Sequence, residues 1–599
     1  MIVLSEEQQA AVETESVQAL VLAGAGSGKT RVLTERIAHL IENRKVSPYE
    51  ILSFTFTRKS AGEMRKRLED RIGADAHKIT MGTMHGVALN YLQRFGEMIG
   101  LRPGKITVYS SWEETYLLKD VAMELGYHTG RAWKGVKKKE VDSVFYDYYT
   151  RLFYPANGEK PEHEILRAFL DRCRENNALT YGTILTAFYA LLPKIFNFLN
   201  IRHIMIDEVQ DNDPLQWNTV NQFCKLCNAS LFAVGDLDQS IYSFRGADPE
   251  YLIRHTHEFD VYRLQTNYRS APEIVEGANR LIEHNQNRLE KTMEAVKFDG
   301  NIPDNPVHFT NFDSTMIAEN LVNMPAGPNT ALLARNHFLL EKVSRLLDES
   351  GFNHEYVGKA TALTNSEEFR RFHAFLKLIV NPFDNFSFLL IRDIIGISLE
   401  EFGRIRVAAA HAGKSHFQVW MDSDTNDPAT WPKWFNESIA VSNDVNSVYF
   451  NMNDIEIFNF EDENIIEFFY AWIVDGENHL QSLQAYLDWL STFDIQDEIK
   501  DDTEYLQLMT IHASKGLEWP TVIIAGLNEG IFPSKHALRN LDEMEGERRL
   551  AYVAFTRAED QLILTSRPLE KDSEMKVKNP VSRFVGEAVE GKSVRMGAA

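Results

Sequence analysis

Residues 23–30 read Ala23-Gly24-Ala25-Gly26-Ser27-Gly28-Lys29-Thr30, between an apolar run at 17–22 and a helix-forming stretch from Arg31 onward. Glycines in this pattern let backbone N–H groups close around phosphate oxygens, and the dipole of the following helix favours negative charge. Lys29 has the charge and reach to meet the β- and γ-phosphates, and the Thr30 hydroxyl suits Mg2+. A glycine-rich turn can match by chance, but Gly-Lys-Thr between a strand and a helix argues against that reading. Alone, the loop implies binding of a nucleoside triphosphate, ATP or GTP. Ala23 stands where the general pattern has glycine.

A second constellation is Ile204-Met205-Ile206-Asp207-Glu208, an apolar strand ending in two carboxylates. Asp207 is placed to hold Mg2+ through its water shell, and Glu208 to orient and deprotonate an attacking water. Side chains adjacent on a strand point to opposite sides, which suits two distinct roles. Such a pair is ordinarily a solvated strand end; the phosphate loop upstream is what decides against that.

These groups must be held by regular elements. Apolar runs at 17–22, 51–55, 203–206, 231–234, 331–334 and 521–525 read as buried parallel strands, with helical patterns such as 31–43 and 58–71 between them. The alternation predicts α/β layers with right-handed crossovers. Two long stretches, about 97–190 and about 378–500, look mainly helical and read as insertions in a pair of α/β cores. A chain of 599 residues divides into several domains.

Composition narrows the class. Three cysteines (Cys173, Cys224 and Cys227) are too few for a disulfide framework, and the lone Cys224/Cys227 pair reads as small buried residues rather than a metal site. No signal peptide or membrane-spanning run is visible, so a cytoplasmic protein without a membrane partner is expected. The net charge of −23 argues against a nucleic-acid partner only on average. Basic clusters lie at 58–71 and 131–139, whereas acid gathers at 421–427, 453–467 and 495–504.

The two sites sit within an ordered set of phrases: Gln8 in LSEEQQAAV, TFTRKSAGEM at 55–64, GTMHG at 82–86, DEVQD at 207–211, GDLDQSIYSFRGA at 235–247, LQTNYRS at 264–270, LMTIHASKGLEW at 508–519, ERRLAYVAFTRAED at 547–560 and VSRF at 581–584. In this order they resemble the superfamily 1A DNA helicases of the UvrD/Rep/PcrA type, and Ala23 fits that family's own phosphate loop. The resemblance implies an α/β fold with two RecA-like P-loop cores, each a parallel sheet carrying a mainly helical insertion. The first core would comprise 1–96 and 190–270, with an insertion at 97–189. The second would comprise 271–377 and 503–585, with a short insertion at 378–502, followed by a flexible tail at 586–599.

The same resemblance assigns roles. Gln8 would read the adenine edge, with Arg31 and Tyr268 on the base faces. Gln239 would sense the γ-phosphate, Arg269 and Arg557 would reach it as arginine fingers from the second core, and Glu518 would contact the ribose or tune the arginines. Phe56, His85, Tyr242 and Phe244 would line a single-strand track, with Thr57 beside Phe56 and with Thr83, Thr510 and His512 as phosphate or coupling residues. Phe244 stands where relatives carry Trp.

The implied activity is an ATP- and Mg2+-dependent helicase moving 3′→5′ on single-stranded DNA and opening duplex junctions as a monomer. The alternative is a protein-clearing or partner-activated remodelling subunit with weak unwinding. Two departures bear on that choice. The stretch where relatives place a strand-separating hairpin, 566–580, has no aromatic, leaving Leu569 or Met575 to cap the duplex. Residues 391–405 (IRDIIGISLEEFGRI) match the family's glycine-containing duplex-binding turn only in part, within an acidic insertion; the run 131–139 is the better candidate for duplex phosphates.

Overall fold

The computed structural model describes residues 4–154, 160–296, 306–323, 329–358, 363–423, 431–453, 463–473, 482–493, 495–499, 504–568 and 580–589. Residues 569–579, with the expected cap Leu569 or Met575, and most of the tail after 586 lie outside this set.

Six parallel strands form the first sheet: β1 (Gln18–Ala23), β2 (Ile51–Thr55), β3 (Thr80–Thr83), β4 (His203–Ile206), β5 (Ser230–Gly235) and β6 (Asp260–Leu264), in the spatial order β3-β2-β4-β5-β1-β6. A second parallel sheet holds β7 (Val307–Thr310), β8 (Thr330–Ala334), β9 (His354–Tyr356), β10 (Leu506–Thr510), β11 (Trp519–Ala525) and β12 (Ala558–Thr565), in the order β7-β12-β11-β8-β10-β9. This is the expected pair of RecA-like layers. All five residues of β2 and of β8 are buried, because helices cover both faces of such a sheet and leave no polar side. The six apolar runs named from the sequence all fall on strands.

The chain separates into two compact units. One comprises Met1–Thr83, Asn200–Gly358 and Ile495–Ala599 and contains both sheets; the other comprises Met84–Leu199 and Lys359–Asp494 and is mainly helical. In this division the two cores cluster together, as do the two insertions. Helices Met84–Phe95 and Glu367–Val380, placed with the cores by boundaries at 96 and 377, belong to the helical unit. Packing explains both. Tyr91 stacks on Phe188 of helix Tyr181–Ile195 at 5.8 Å, while Phe369, Phe372 and Phe375 sit in an aromatic core with Trp431, Phe435 and Tyr486. Among the described residues no helix is long and apolar enough to cross a membrane.

Buried polar contacts fasten the two insertions within the helical unit. Lys377 Nζ lies 2.5 Å from Glu113 Oε1, both side chains being buried. Asp384 accepts hydrogen bonds from the Tyr109 hydroxyl at 2.6 Å and from Thr107 Oγ1 at 3.1 Å. A buried ion pair adds little over a hydrophobic pair but is costly to break from one side. Lys377→Met should therefore destabilise the helical unit by about 3–5 kcal/mol, and adding Glu113→Leu should restore most of it. Urea unfolding followed by hydrogen exchange in Glu367–Val380 checks both.

Candidate functional site

Parallel strands bring their carboxyl ends to one edge of a sheet, where the following loops gather. At that edge of the first sheet the loops after β1, β4, β5 and β6 converge. The loop after β1 turns through Gly26 and Gly28, at φ 64° and 84°, and Gly28 opens helix Lys29–Glu42. A Cβ on Gly26 would lie 2.7 Å from Arg269 Cβ, so glycine is required there by space as well as by backbone angle. Ala23 ends the strand, fully buried, and Ser27 Oγ closes the turn on the Gly24 carbonyl at 2.8 Å. The Ala25 carbonyl is held at 2.7 Å by Asn267 Nδ2.

Three of the expected catalytic residues meet here from three loops. Lys29 Nζ lies 3.0 Å from Glu208 Oε1 and 3.3 Å from Gln239 Oε1. Asp207 is buried at the end of β4 and accepts from the Glu208 amide at 3.0 Å. Burial and the adjacent Glu208 charge raise the Asp207 carboxyl above its usual range. Burial works to raise Glu208 too, but Lys29 and Lys515 outweigh it and hold Glu208 low. Glu208 occupies φ 49°, a left-handed backbone that costs energy for a side chain other than glycine.

The opposite wall comes from the turn after β6 and the amino ends of β11 and β12. Arg269 pairs with Glu518 and donates to the Thr556 carbonyl at 3.0 Å. Arg557 is only 2% exposed and donates to the Val553 carbonyl at 3.0 Å, the Leu517 carbonyl at 2.9 Å and Thr556 Oγ1 at 3.2 Å. Burial, then repulsion from Arg269, lowers its guanidinium to about 9. A cleft of about 620 Å3 runs between the walls, lined by Lys29, Thr30, Glu208, Gln239, Arg269 and Arg557. Its cationic lining and the two left-handed glycines suit a triphosphate. A divalent cation in this cleft would find oxygen donors in the Thr30 hydroxyl and in Asp207, a buried carboxylate that no ammonium or guanidinium approaches within 4.0 Å among the described residues.

Of the expected base contacts, Tyr268 and Arg31 line the cleft, and Tyr268 is 46% exposed. Gln8 is placed differently. It is 2% exposed, its Oε1 accepts from the Ser5 amide at 3.1 Å, and its Nε2 donates to the Ser27 carbonyl at 3.0 Å. In this form it braces the phosphate loop and caps its own helix.

Sequence reasoning overlooked Lys515. Its ammonium contacts Asp211, lies 3.8 Å from Glu208 Oε2 and donates to the Gln239 carbonyl at 2.8 Å. It also sits over the rings of Phe56 and Tyr242, at 5.7 and 5.3 Å. Behind the site Arg288 lies 2.9 Å from Asp238 and Lys291 contacts Asp236, whose second oxygen accepts from Gln239 Nε2 at 2.9 Å. The phrase HASKGLE contains Lys515, but nothing in its spacing announced these partners.

The expected track is partly assembled. Phe56 stacks on Tyr242 at 4.7 Å, Phe244 stands edge-on to His512 at 5.5 Å, and the Tyr242 hydroxyl donates to the His512 carbonyl at 3.2 Å. Phe244 is 67% exposed, whereas Tyr242 is buried and Phe56 is partly buried, so one ring of the cluster is open to a base. Burial first, and then nearby cations, keep His512 neutral with a pKa near 3. Thr57 caps helix Arg58–Ile72 through the Ser60 amide at 3.0 Å, Thr83 ends β3, and Thr510, buried, ends β10. His85 belongs to the helical unit and stacks at 3.9 Å on Tyr181, an exposed aromatic that the sequence did not single out.

Comparison with known proteins adds an independent finding. Residues 4–260 match the UvrD/REP helicase N-terminal domain, and residues 262–413 and 452–567 match the UvrD-like helicase C-terminal domain. The ATP-dependent DNA helicase PcrA of Bacillus subtilis is 28% identical over 651 residues, spanning 98% of this chain and 85% of the relative. Those of Staphylococcus epidermidis and Leuconostoc citreum are each 27% identical, again over 98% of this chain.

Asn267 joins the two walls: its Nδ2 holds the phosphate loop, while its Oδ1 accepts from the Arg269 and Ser270 amides at 3.0 and 2.8 Å. Asn267→Asp keeps both accepted bonds but turns an oxygen toward the Ala25 carbonyl. The lost donor should cost about 1–3 kcal/mol, read as a raised KM for ATP in steady-state hydrolysis.

Proposed function

The chain belongs to the superfamily 1A DNA helicases of the UvrD/Rep/PcrA type, and from that premise we propose how its residues turn ATP hydrolysis into movement. It is an ATP-driven DNA helicase that acts on single strands and duplex junctions. The observation carrying the mechanism is the cleft walled by Lys29, Glu208 and Gln239 on one side and Arg269 and Arg557 on the other.

ATP would enter with its phosphates against the loop at 23–30. Lys29 would leave Glu208 and Gln239 to neutralise the β- and γ-phosphates. With that ammonium withdrawn, the Glu208 carboxylate rises in basicity and can take the proton of the attacking water. Mg2+, held by Thr30 and Asp207, would supply the charge that neutralises the triphosphate. Arg269 and Arg557 would exchange carbonyl and carboxylate partners for γ-phosphate oxygens, a role that contributes roughly 10³–10⁵ in rate. Those exchanges draw the two walls together, and loss of the γ-phosphate lets them part.

Lys515 supports a link from fuel to track. One ammonium holds Glu208, Asp211 and the Gln239 carbonyl, and also covers the rings of Phe56 and Tyr242. A base that stacks on Phe244 and separates Phe56 from Tyr242 would shift Lys515 and release Glu208 for catalysis. Each stacked base contributes about 1–3 kcal/mol, enough to drive that change. We place the protein on DNA as a monomer moving 3′→5′.

The acidic second insertion favours a second reading, a remodelling subunit with weak unwinding of its own. ATPase rates with and without single-stranded DNA, together with unwinding of 3′- and 5′-tailed duplexes, separate the two. The helicase reading expects stimulated hydrolysis and opening of the 3′-tailed duplex alone. Stimulated hydrolysis without unwinding would favour the remodelling reading, and no stimulation would defeat both.

A further inference from the structure

The Gln239 amide faces one way for a chemical reason. Its Oε1 accepts from Lys29 Nζ at 3.3 Å, and its Nε2 donates to Asp236 Oδ2 at 2.9 Å. An ammonium only donates and a carboxylate only accepts, so a flipped amide would lose both bonds. Asp236 is 1% exposed; its Oδ1 accepts from the Asp238 amide at 3.0 Å, and its own amide donates to Gln210 Oε1 at 2.9 Å. A carboxylate buried to this degree needs a cation, and Lys291 of the second core provides it.

Lys291 stands on a turn at 284–293 that follows helix Pro272–Glu283. Its ammonium contacts Asp236 and lies 3.4 Å from Asp238 Oδ2. Arg288 lies 2.9 Å from the same Asp238 oxygen and donates to the Lys291 carbonyl at 3.0 Å. Two cations thus balance two carboxylates, and none of the four side chains is more than 10% exposed. Burial pushes the Lys291 ammonium toward its neutral form, and the two carboxylates oppose that.

The turn is fixed within its own core. Glu545 accepts from the Gln286 amide at 2.7 Å, Arg549 donates to the Asn287 carbonyl at 2.8 Å, and Asn279 holds the Met293 backbone at 2.9 and 3.2 Å. Met293 packs against the phosphate loop, where a Cβ on Gly24 would lie 2.8 Å from Met293 Cγ. A side chain carried on so constrained a turn imposes geometry on its partner rather than following it. Four charges between two loops could act as a clasp alone, but a clasp has no need of the bond that passes from Asp236 to Gln239.

Resting on the helicase reading above, we infer that Lys291 is a positioning residue for hydrolysis: through Asp236 it fixes which end of the Gln239 amide faces the γ-phosphate site, and Arg288 braces it through Asp238. Once Lys29 turns to the phosphates, the Gln239 Oε1 is free to accept from the attacking water, which a flipped NH2 could not do. Without Lys291 the Asp236 carboxylate takes up a proton or turns to another donor, and the Gln239 Nε2 loses the acceptor that sets its facing. The sensing group of the first wall is thereby set from the second core.

The test measures kcat and KM for single-strand-stimulated ATP hydrolysis, with ATP and single-strand affinities, in the parent, Lys291→Met, Arg288→Gln, Gln239→Ala and each of the first two combined with Gln239→Ala. Lys291→Met should lower kcat by about ten- to a hundredfold. Its ATP and single-strand affinities should stay within about threefold of the parent, the mark of a defect confined to turnover. Arg288→Gln, which leaves Lys291 in place, should lower kcat by about three- to tenfold. In the Gln239→Ala background neither substitution should slow hydrolysis by more than about twofold, because both act through that one amide. A kcat for Lys291→Met within about threefold of the parent would overturn the inference. Losses that multiply with that of Gln239→Ala, or a loss of ATP affinity as large as the loss of kcat, would overturn it too and leave a clasp. Should Lys291→Met fail to fold, Arg288→Gln decides by the same cycle, and an unchanged kcat there would overturn the inference. A Gln239→Ala variant that hydrolyses ATP as the parent does, or a parent whose ATPase ignores single strands, would fail the reading of the cleft itself, and this inference with it.

Discussion

A buried ammonium must be neutralised where it lies, and Lys515 is almost wholly buried. Its partners, Asp211, Glu208 and the Gln239 carbonyl, all stand on loops that follow strands of the first sheet, while Lys515 itself rides between β10 and β11 of the second. Desolvated charges hold their partners tightly, so the register between these loops is fixed wherever this pair is made. Asp211 and Lys515 are 5% and 4% exposed, and burial lifts Asp211 to about 6 even with Lys515 upon it. The nucleotide cleft and the aromatic cluster flank this one side chain, and each can reach the other through it.

Around that contact the site is built from groups already spoken for. Lys29 rests on Glu208, Arg269 on Glu518, and Arg557 on two acceptors of its own turn and on the Leu517 carbonyl. A triphosphate offers these cations stronger, charge-assisted bonds than carbonyl oxygens do. The resting pairs therefore keep the cations from collapsing into solvent-filled disorder while leaving them exchangeable. Glu208 in a left-handed backbone and glycines crowded against Arg269 and Gln8 indicate that the loops hold this shape against local preference. Such strain persists only where the surroundings over-determine it.

What was legible in the sequence follows the same physics. Phosphate chemistry needs particular residue types at fixed spacing, so Gly26, Gly28, Lys29, Asp207 and Glu208 could be assigned from the chain alone. Central strands could be read because both faces are covered. The four edge strands β3, β6, β7 and β9, such as TMGT and DVYRL, have an open side and carry no apolar run. Lys515, Asn267, Arg288 and Lys291 act through partners far away in the chain, and one sequence holds no record of such pairing. The contact between the two insertions is of the same kind: Glu113 and Lys377 are 264 positions apart. Gln8 shows the converse, a residue whose motif was recognised but whose amide is turned to the protein's own loop.

The claim on which the rest turns is that the second wall completes the catalytic site. It is tested most directly by single-turnover ATP hydrolysis by Arg557→Ala and Arg557→Lys, with nucleotide affinity measured on the same samples. Arg557→Lys keeps a buried cation but lacks the planar fork, which guards against reading a folding defect as a catalytic one. Nucleotide affinity should stay within about threefold of the parent, and the hydrolysis rate should fall by roughly 10³ or more in both variants. A rate within about tenfold of the parent in either would contradict it, leaving hydrolysis to Lys29, Glu208 and Gln239 alone.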